Sequence, residues 1–168
     1  MYELAAIEDE LSQGDILDGC PVGILDANSP PATGASTFLE FRARVIVLTQ
    51  SCDLAQLKSG KVIVAIVRSC DEVVRLGLLK ASAIRDQVRT HRMPGWYFLP
   101  TAPGPIPLPE SIVEMRELHT LPRRVLDDLI SANRRVCRVV TPYREHLSQH
   151  FAITYMRIGL PEPYATEA

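Results

Sequence analysis

Apolar positions along the chain fall into two rhythms. Over 38–49, FLEFRARVIVLT, they first alternate with polar residues and then fuse into a β-branched run, as a strand does on passing from half-buried to fully buried. Residues 61–67, KVIVAIV, repeat the buried pattern, and the Ser59-Gly60 turn before them predicts that the two strands pair as a central hairpin. Trp96-Tyr97-Phe98-Leu99 predicts another strand, stopped by Pro100 and the proline-rich run behind it. Strands are also expected from Gly14-Asp15-Ile16-Leu17 onward and over 111–118.

Helical spacing appears elsewhere. Residues 2–11 read as a short helix. Val74, Leu78, Ala81, Ile84 and Val88 predict an amphipathic helix over 71–88, weakened at Gly77 by the usual glycine cost of about 1 kcal/mol. A helix over 121–130 would pack Leu121, Val125 and Leu126. The last helix, 141–159, has Thr141 to cap it and Pro142 at its first position. Tyr143, Leu147, Phe151, Tyr155 and Ile158 recur along it every three or four residues, and Gly159 and Pro161 end it. DANSPPATGAS, 26–36, reads as a surface loop. Neither an internal repeat nor a long linker interrupts the chain, so a single domain over 1–168 is expected.

Composition narrows the class. With 168 residues, 46% hydrophobic and 23% charged, the chain has the balance of a globular domain able to bury a core without a disulfide or metal. No run of about 18 apolar residues predicts a membrane span. The acidic opening MYELAAIEDELSQGD lacks the basic and apolar regions of a secretory signal, so a cytoplasmic, reducing setting is expected. A net charge of −2 argues against gripping long nucleic acids by bulk electrostatics. Within the 18 basic residues, however, arginine dominates over lysine, and arginine pairs bidentately with carboxylates and phosphates.

Metal chemistry is not expected. Cys20, Cys52, Cys70 and Cys137 form no C-x-x-C pair. His146 and His150 would share a helix face, but Leu147, Ser148 and Gln149 between them supply no metalloprotease glutamate, and a solvated face is the plainer reading. No cofactor is implied.

Three segments resemble the MazF/PemK-like toxin family. Gly14-Asp15-Ile16 looks like the Gly-Asp-Ile or Gly-Asp-Val opening the family's first strand. Arg44-Val45-Ile46-Val47-Leu48 is similar to its Arg-Pro followed by an apolar strand, with Ile63-Val64-Ala65-Ile66-Val67 as the next. Glu110-Ser111-Ile112-Val113, leading through Leu118-His119-Thr120-Leu121 to Leu126, matches an acidic-Ser-Val stretch, a Thr and a closing Leu. The resemblance implies an α+β, β-rich SH3-like barrel over 12–126, of about five to seven strands, with an inserted helix over 71–88 and a C-terminal amphipathic helix. It further implies a homodimer, an antitoxin or other protein partner, and a defence-type endoribonuclease that cuts single-stranded RNA without metal.

That chemistry needs donors for a pentavalent phosphorane and a base and acid for the 2′-hydroxyl and leaving group. Arg44 falls where the family has its catalytic arginine, although the proline after it is Val45 here. Arg68 stands at the family's threonine position, with Ser69 the nearest hydroxyl. Arg44, Arg68 and Ser69 are thus the expected catalytic set, with His91 or His119 as titratable helpers. Arg89, His91, Arg92 and Trp96 mix basic and aromatic side chains as single-strand binders do. Gln50, Ser51, Cys52 and Asp53 crowd the end of the most buried strand, where sites commonly lie. Each has a bland counterpart: an arginine at a strand's entry to the core, aromatics buried beside a basic loop, a structural Cys52 with Asp53 capping a turn. Two other functions therefore stand beside the nuclease: a non-catalytic protein-interaction module that kept the barrel, and a Cys52-centred hydrolase or thiol sensor.

Overall fold

The computed structural model describes residues 1–26, 38–56 and 60–156. Its strands are β1 (Tyr2–Glu3), β2 (Asp15–Leu25), β3 (Phe38–Val47), β4 (Lys61–Ser69), β5 (Trp96–Leu99), β6 (Ser111–Pro122) and β7 (Arg135–Val139). They form one antiparallel seven-stranded sheet in the order β1-β7-β2-β3-β4-β6-β5. The helices are α1 (Ser51–Ala55), α2 (Cys70–Arg75), α3 (Ala81–Ala83), α4 (Arg123–Ser131) and α5 (Tyr143–Tyr155). The fold is therefore α+β and β-rich. Among the described residues β1 and β5 are edges that do not pair, so the sheet is open.

Period-two alternation sends successive side chains to opposite faces, and both faces are covered. Ile46, Ala65, Val67, Tyr97, Leu99 and Val139 point to one core, completed by Leu147 of α5 and Leu108. Val45, Val47, Val64 and Ile66 point to the other, under Leu126 and Ile130 of α4 and Leu54 of α1. Leu126 and Leu147 are both fully buried, each stabilising the fold by about 1.5–3 kcal/mol relative to exposure. A smaller cluster joins Val73, Ile84, Val88, Trp96, Phe98 and Ile112.

Gly14-Asp15-Ile16 proves to be a structural staple. Gly14 has φ +85°, and a Cβ there would stand 2.8 Å from the Val139 carbonyl oxygen. Its N–H donates to the Val47 carbonyl at 2.9 Å and its carbonyl accepts from the Val139 N–H at 2.9 Å, tying β2 to β3 and β7. The fully buried Asp15 carboxylate accepts from Arg138 Nε at 2.6 Å and from the Ser12 N–H at 3.0 Å.

Several expectations need correction. No helix covers 2–11, where β1 is followed by turns. The inserted helix over 71–88 is broken into α2, α3 and a π-helical turn, Ile84–Val88. Gly77 sits at φ +70° just after α2, a conformation that ends a right-handed helix. Thr141 does not cap α5; its hydroxyl donates to Glu145 Oε1 at 2.9 Å. The strand β7 was not expected. The loop from residue 27 to 36, the turn at Ser59 and the end of the last helix past 156 lie outside the described residues.

Candidate functional site

Where β3 and β4 part, a cleft of about 480 Å³ opens between them and α2. The strands pair only through Val45–Ile66, Ile46–Ala65 and Val47–Val64, so 38–43 of β3 pair with β2 alone among the described strands and Arg44 lies at the bulge. Arg42, Arg44, Arg68, Ser69, Asp18 and Glu72 face this space. The three residues expected to be catalytic, Arg44, Arg68 and Ser69, are thus brought together.

Each is already engaged. The β2–β3 register slips between Leu17 and Cys20, and Gly19 at φ +70° lets the bulge present Asp18 opposite Arg44. Arg44 grips Asp18 bidentately, Nε to Oδ1 at 2.5 Å and Nη2 to Oδ2 at 2.9 Å, while its Nη1 donates to the Pro107 carbonyl at 3.1 Å. The Asp18 hydrogen bond raises the Arg44 pKa further, against the opposing effect of burial. Arg68 pairs with Glu114 of β6, both half-buried. Glu114 is the register partner of Ile66, which places it diagonally from Arg68. The Ser69 hydroxyl accepts the Glu72 N–H at 3.1 Å, capping α2. Glu72 has no ion pair among the described residues. Arg42 is exposed, its Nη1 donating to the Gly19 carbonyl at 3.2 Å and its Nη2 3.9 Å from Glu40.

The expected nucleic-acid strip lies elsewhere and is less available. Trp96 is only 5% exposed and belongs to the third core cluster, so its ring does not face solvent for base stacking. Arg89 lies over Phe98, 5.1 Å from the ring centroid, and pairs with Glu110 at 2.8 Å. Arg92 is exposed, and His91 packs against Tyr97 and α5.

The group after β3 is a local knot. Ser51 Oγ and Ser12 Oγ lie 2.8 Å apart, and Ser51 Oγ accepts the Gln13 N–H at 3.2 Å. Cys52 is exposed, with Gln50 Oε1 at 3.6 Å and Asp53 Oδ1 at 3.9 Å as its polar neighbours. His119 is paired across the sheet with Val64, its Nε2 3.5 Å from Glu117. Neither His119 nor His91 is a hydrogen-bond partner of the Cys52 thiol, which leaves a cysteine nucleophile without its base. Burial pushes the other thiols up, Cys20 and Cys70 to about 11 and Cys137 to about 12.

Sequence reasoning missed Asp18, Glu72 and Glu114, the carboxylates that define the cleft's electrostatics. The signal for Asp18 was the Asp-Gly pair inside a strand, which marks a bulge. No family model matches this chain and no curated protein matches it.

Proposed function

We propose that this is a MazF/PemK-like, barrel-derived RNA-binding protein that holds a short single-stranded segment in the β3–β4 cleft without cutting it. The observation that carries this reading is the convergence of Arg42, Arg44, Arg68 and Ser69 on one open cleft, with Arg44 and Arg68 each held by a carboxylate of the same chain. Guanidinium donors with serine hydroxyls suit a phosphodiester. Carboxylate pairing offsets their charge, so binding should be weak and involve few phosphates. The same pairing withholds the two arginines from a phosphorane, and no histidine lines the cleft to move protons.

A metal-independent endoribonuclease is the second reading, and Glu72 favours it. This carboxylate at the cleft wall is a candidate base for the 2′-hydroxyl, with Arg42 as the accessible cation. Partners other than RNA, whether an antitoxin or a second copy in a homodimer, remain proposals that rest on the resemblance.

The deciding experiment incubates folded protein with a fluorescent single-stranded RNA pool in EDTA, reading anisotropy and fragment length together, with Arg44→Ala in parallel. Binding without fragments, weakened in the variant, supports the non-cleaving reading. Fragments made by wild type and lost in the variant establish the nuclease. Neither binding nor fragments moves the function to a protein-interaction module.

A further inference from the structure

His146 and His150 stand one turn apart on α5, and His91 meets them from the segment leading into β5. The His91 ring centroid lies 4.6 Å from that of His146, 5.9 Å from His150 and 4.7 Å from Tyr97. The backbone delivers this ring through φ +54°, a conformation unusual for a residue with a Cβ. His91 Nδ1 and His150 Nε2 are buried without a hydrogen-bond partner, and His150 is only 5% exposed. His146 Nδ1 shares a 3.1 Å hydrogen bond with the Tyr97 hydroxyl. Among the described residues no set of three His, Cys, Asp or Glu side chains is placed to hold a metal ion.

Few charged groups face the cluster; Glu145, next to His146 on α5, is paired with Arg144 at 3.1 Å. Tyr97 faces the cluster from β5 and Tyr143 from the start of α5, and beyond Tyr97 lie Tyr2 of β1 and Cys137 of β7. Burial pushes Tyr97 and Cys137 up to about 12 and Tyr2 up as well, so all stay neutral in acid. Arg89 on the same segment is turned onto Phe98 and Glu110, and Arg92 is exposed. No carboxylate acts on His91 or His150. Burial, then repulsion from the other two rings, brings His91 down to about 4. Burial, then repulsion from His146, lowers His150, opposed by the carbonyls of Trp96 and Met93.

A histidine held below its ordinary value of 6.5 binds its proton more weakly folded than unfolded. The stability it leaves intact above pH 6.5 is therefore lost as pH falls toward about 4, the His91 value. What that loss releases depends on what α5 covers. Leu147 lies in the core beside Tyr97, Leu99 and Val139. Thr154 Oγ1 accepts the Gly95 N–H at 3.0 Å, and the Tyr155 hydroxyl donates to the Met115 carbonyl at 2.6 Å. The strands continue their ladder without the helix, so the helix can leave while the sheet stays paired.

We propose that His91, His146 and His150 form an acid-operated latch: on taking up protons the three imidazoles repel one another, and α5 lifts from the sheet to uncover the apolar face around Tyr97, Leu99 and Val139.

The test follows the histidine ring signals by NMR in wild-type protein from pH 8 to pH 4. Trp96 is the only tryptophan and lies next to Tyr97, so its emission reports the same region, with dye binding for exposed apolar surface and far-ultraviolet dichroism for the sheet. The expected result is that the His91 and His150 rings titrate below the ordinary histidine value of 6.5, with curves distorted by their neighbours in the cluster. Trp96 emission then shifts to the red and dye binds while the strand signal persists. His91→Asn, which tolerates a positive φ, and His146→Gln should each move that transition to lower pH by about half a unit or more. Independent titration of the three rings at the ordinary value overturns the proposal. So does a transition unmoved in both variants, or loss of the sheet at the same pH as the helix.

Discussion

Asp15 and Arg138 form a paired charge at the seam of β2 and β7, the carboxylate fully buried and the guanidinium half-buried, with Nε–Oδ1 at 2.6 Å and Nη2–Oδ2 at 3.0 Å. The hydrogen bond to Asp15 raises the Arg138 pKa. Arg135 approaches the same carboxylate, its Nε 3.6 Å from Oδ2. Removing one partner of such a pair strands the other's charge. Asp15→Ala should therefore cost about 3–5 kcal/mol, read as a lower midpoint in urea at unchanged slope. A cost below about 1 kcal/mol, the range of exposed pairs, would mean the seam is wetter than the structure shows.

The Asp18–Arg44 pair makes a prediction of opposite sign for binding. Asp18→Asn removes a negative charge from the cleft and frees the guanidinium, at a stability cost of about 1 kcal/mol or less because both side chains are partly exposed. Short single-stranded RNA should bind several-fold more tightly, with the salt dependence steepened by about one phosphate contact. Arg44→Ala should do the reverse. Fluorescence anisotropy at several salt concentrations reads both variants, and unchanged affinity in each would place the RNA elsewhere.

Two glycines with positive φ separate conformational cost from steric cost. Gly77, at φ +70°, leaves open space within 4 Å of where a Cβ would stand, so Gly77→Ala should cost about 1–2 kcal/mol. Gly14→Ala carries a similar φ penalty plus a 2.8 Å clash with the Val139 backbone oxygen. It should cost at least about 1 kcal/mol more than the Gly77 change. Thermal melts of the two variants side by side give the comparison.

Thiol labelling should be graded by burial. At pH 8 one equivalent, Cys52, should react quickly with an aromatic disulfide reagent in the native protein. Partly buried Cys70 should follow slowly, and Cys20 and Cys137 only on unfolding, since burial holds their thiols neutral. Four fast thiols in native buffer would contradict the packing around β2 and β7.

Legibility tracked local redundancy. The buried runs of β3 and β4 identified themselves because nothing but a two-sided strand accommodates so many consecutive β-branched residues. The Trp96–Leu99 strand, β6 and the existence of both long helices were legible, but the punctuation of α5 was not: Thr141 does not cap it and Pro142 stands before it. RVCRV of β7 was missed because its arginines break the apolar run, and their partner Asp15 lies at the far end of the chain. The helix over 71–88 failed at one residue: its spacing was helical on either side of Gly77, yet spacing says nothing about φ. For the site, Arg44, Arg68 and Ser69 were expected together only through the family resemblance, and the parting of β3 and β4 does bring them to one cleft. Their carboxylate partners were not expected, because Asp18 reaches Arg44 through a bulge and Glu114 reaches Arg68 through cross-strand register.

One further property follows from the parting of β3 and β4. Past Val45, β3 offers a row of backbone donors and acceptors that no described strand takes up, flanked by Phe38, 70% exposed, and Leu39, 50% exposed. Such a border invites the same border of another molecule. Glu40, Arg42 and Arg44 punctuate it with charge at every second position, so a second copy adding there must crowd or desolvate charged side chains. The charges that shape the cleft also act as gatekeepers against edge-to-edge pairing of two copies: a chain with Glu40 and Arg42 both replaced by valine should keep its fold and self-associate.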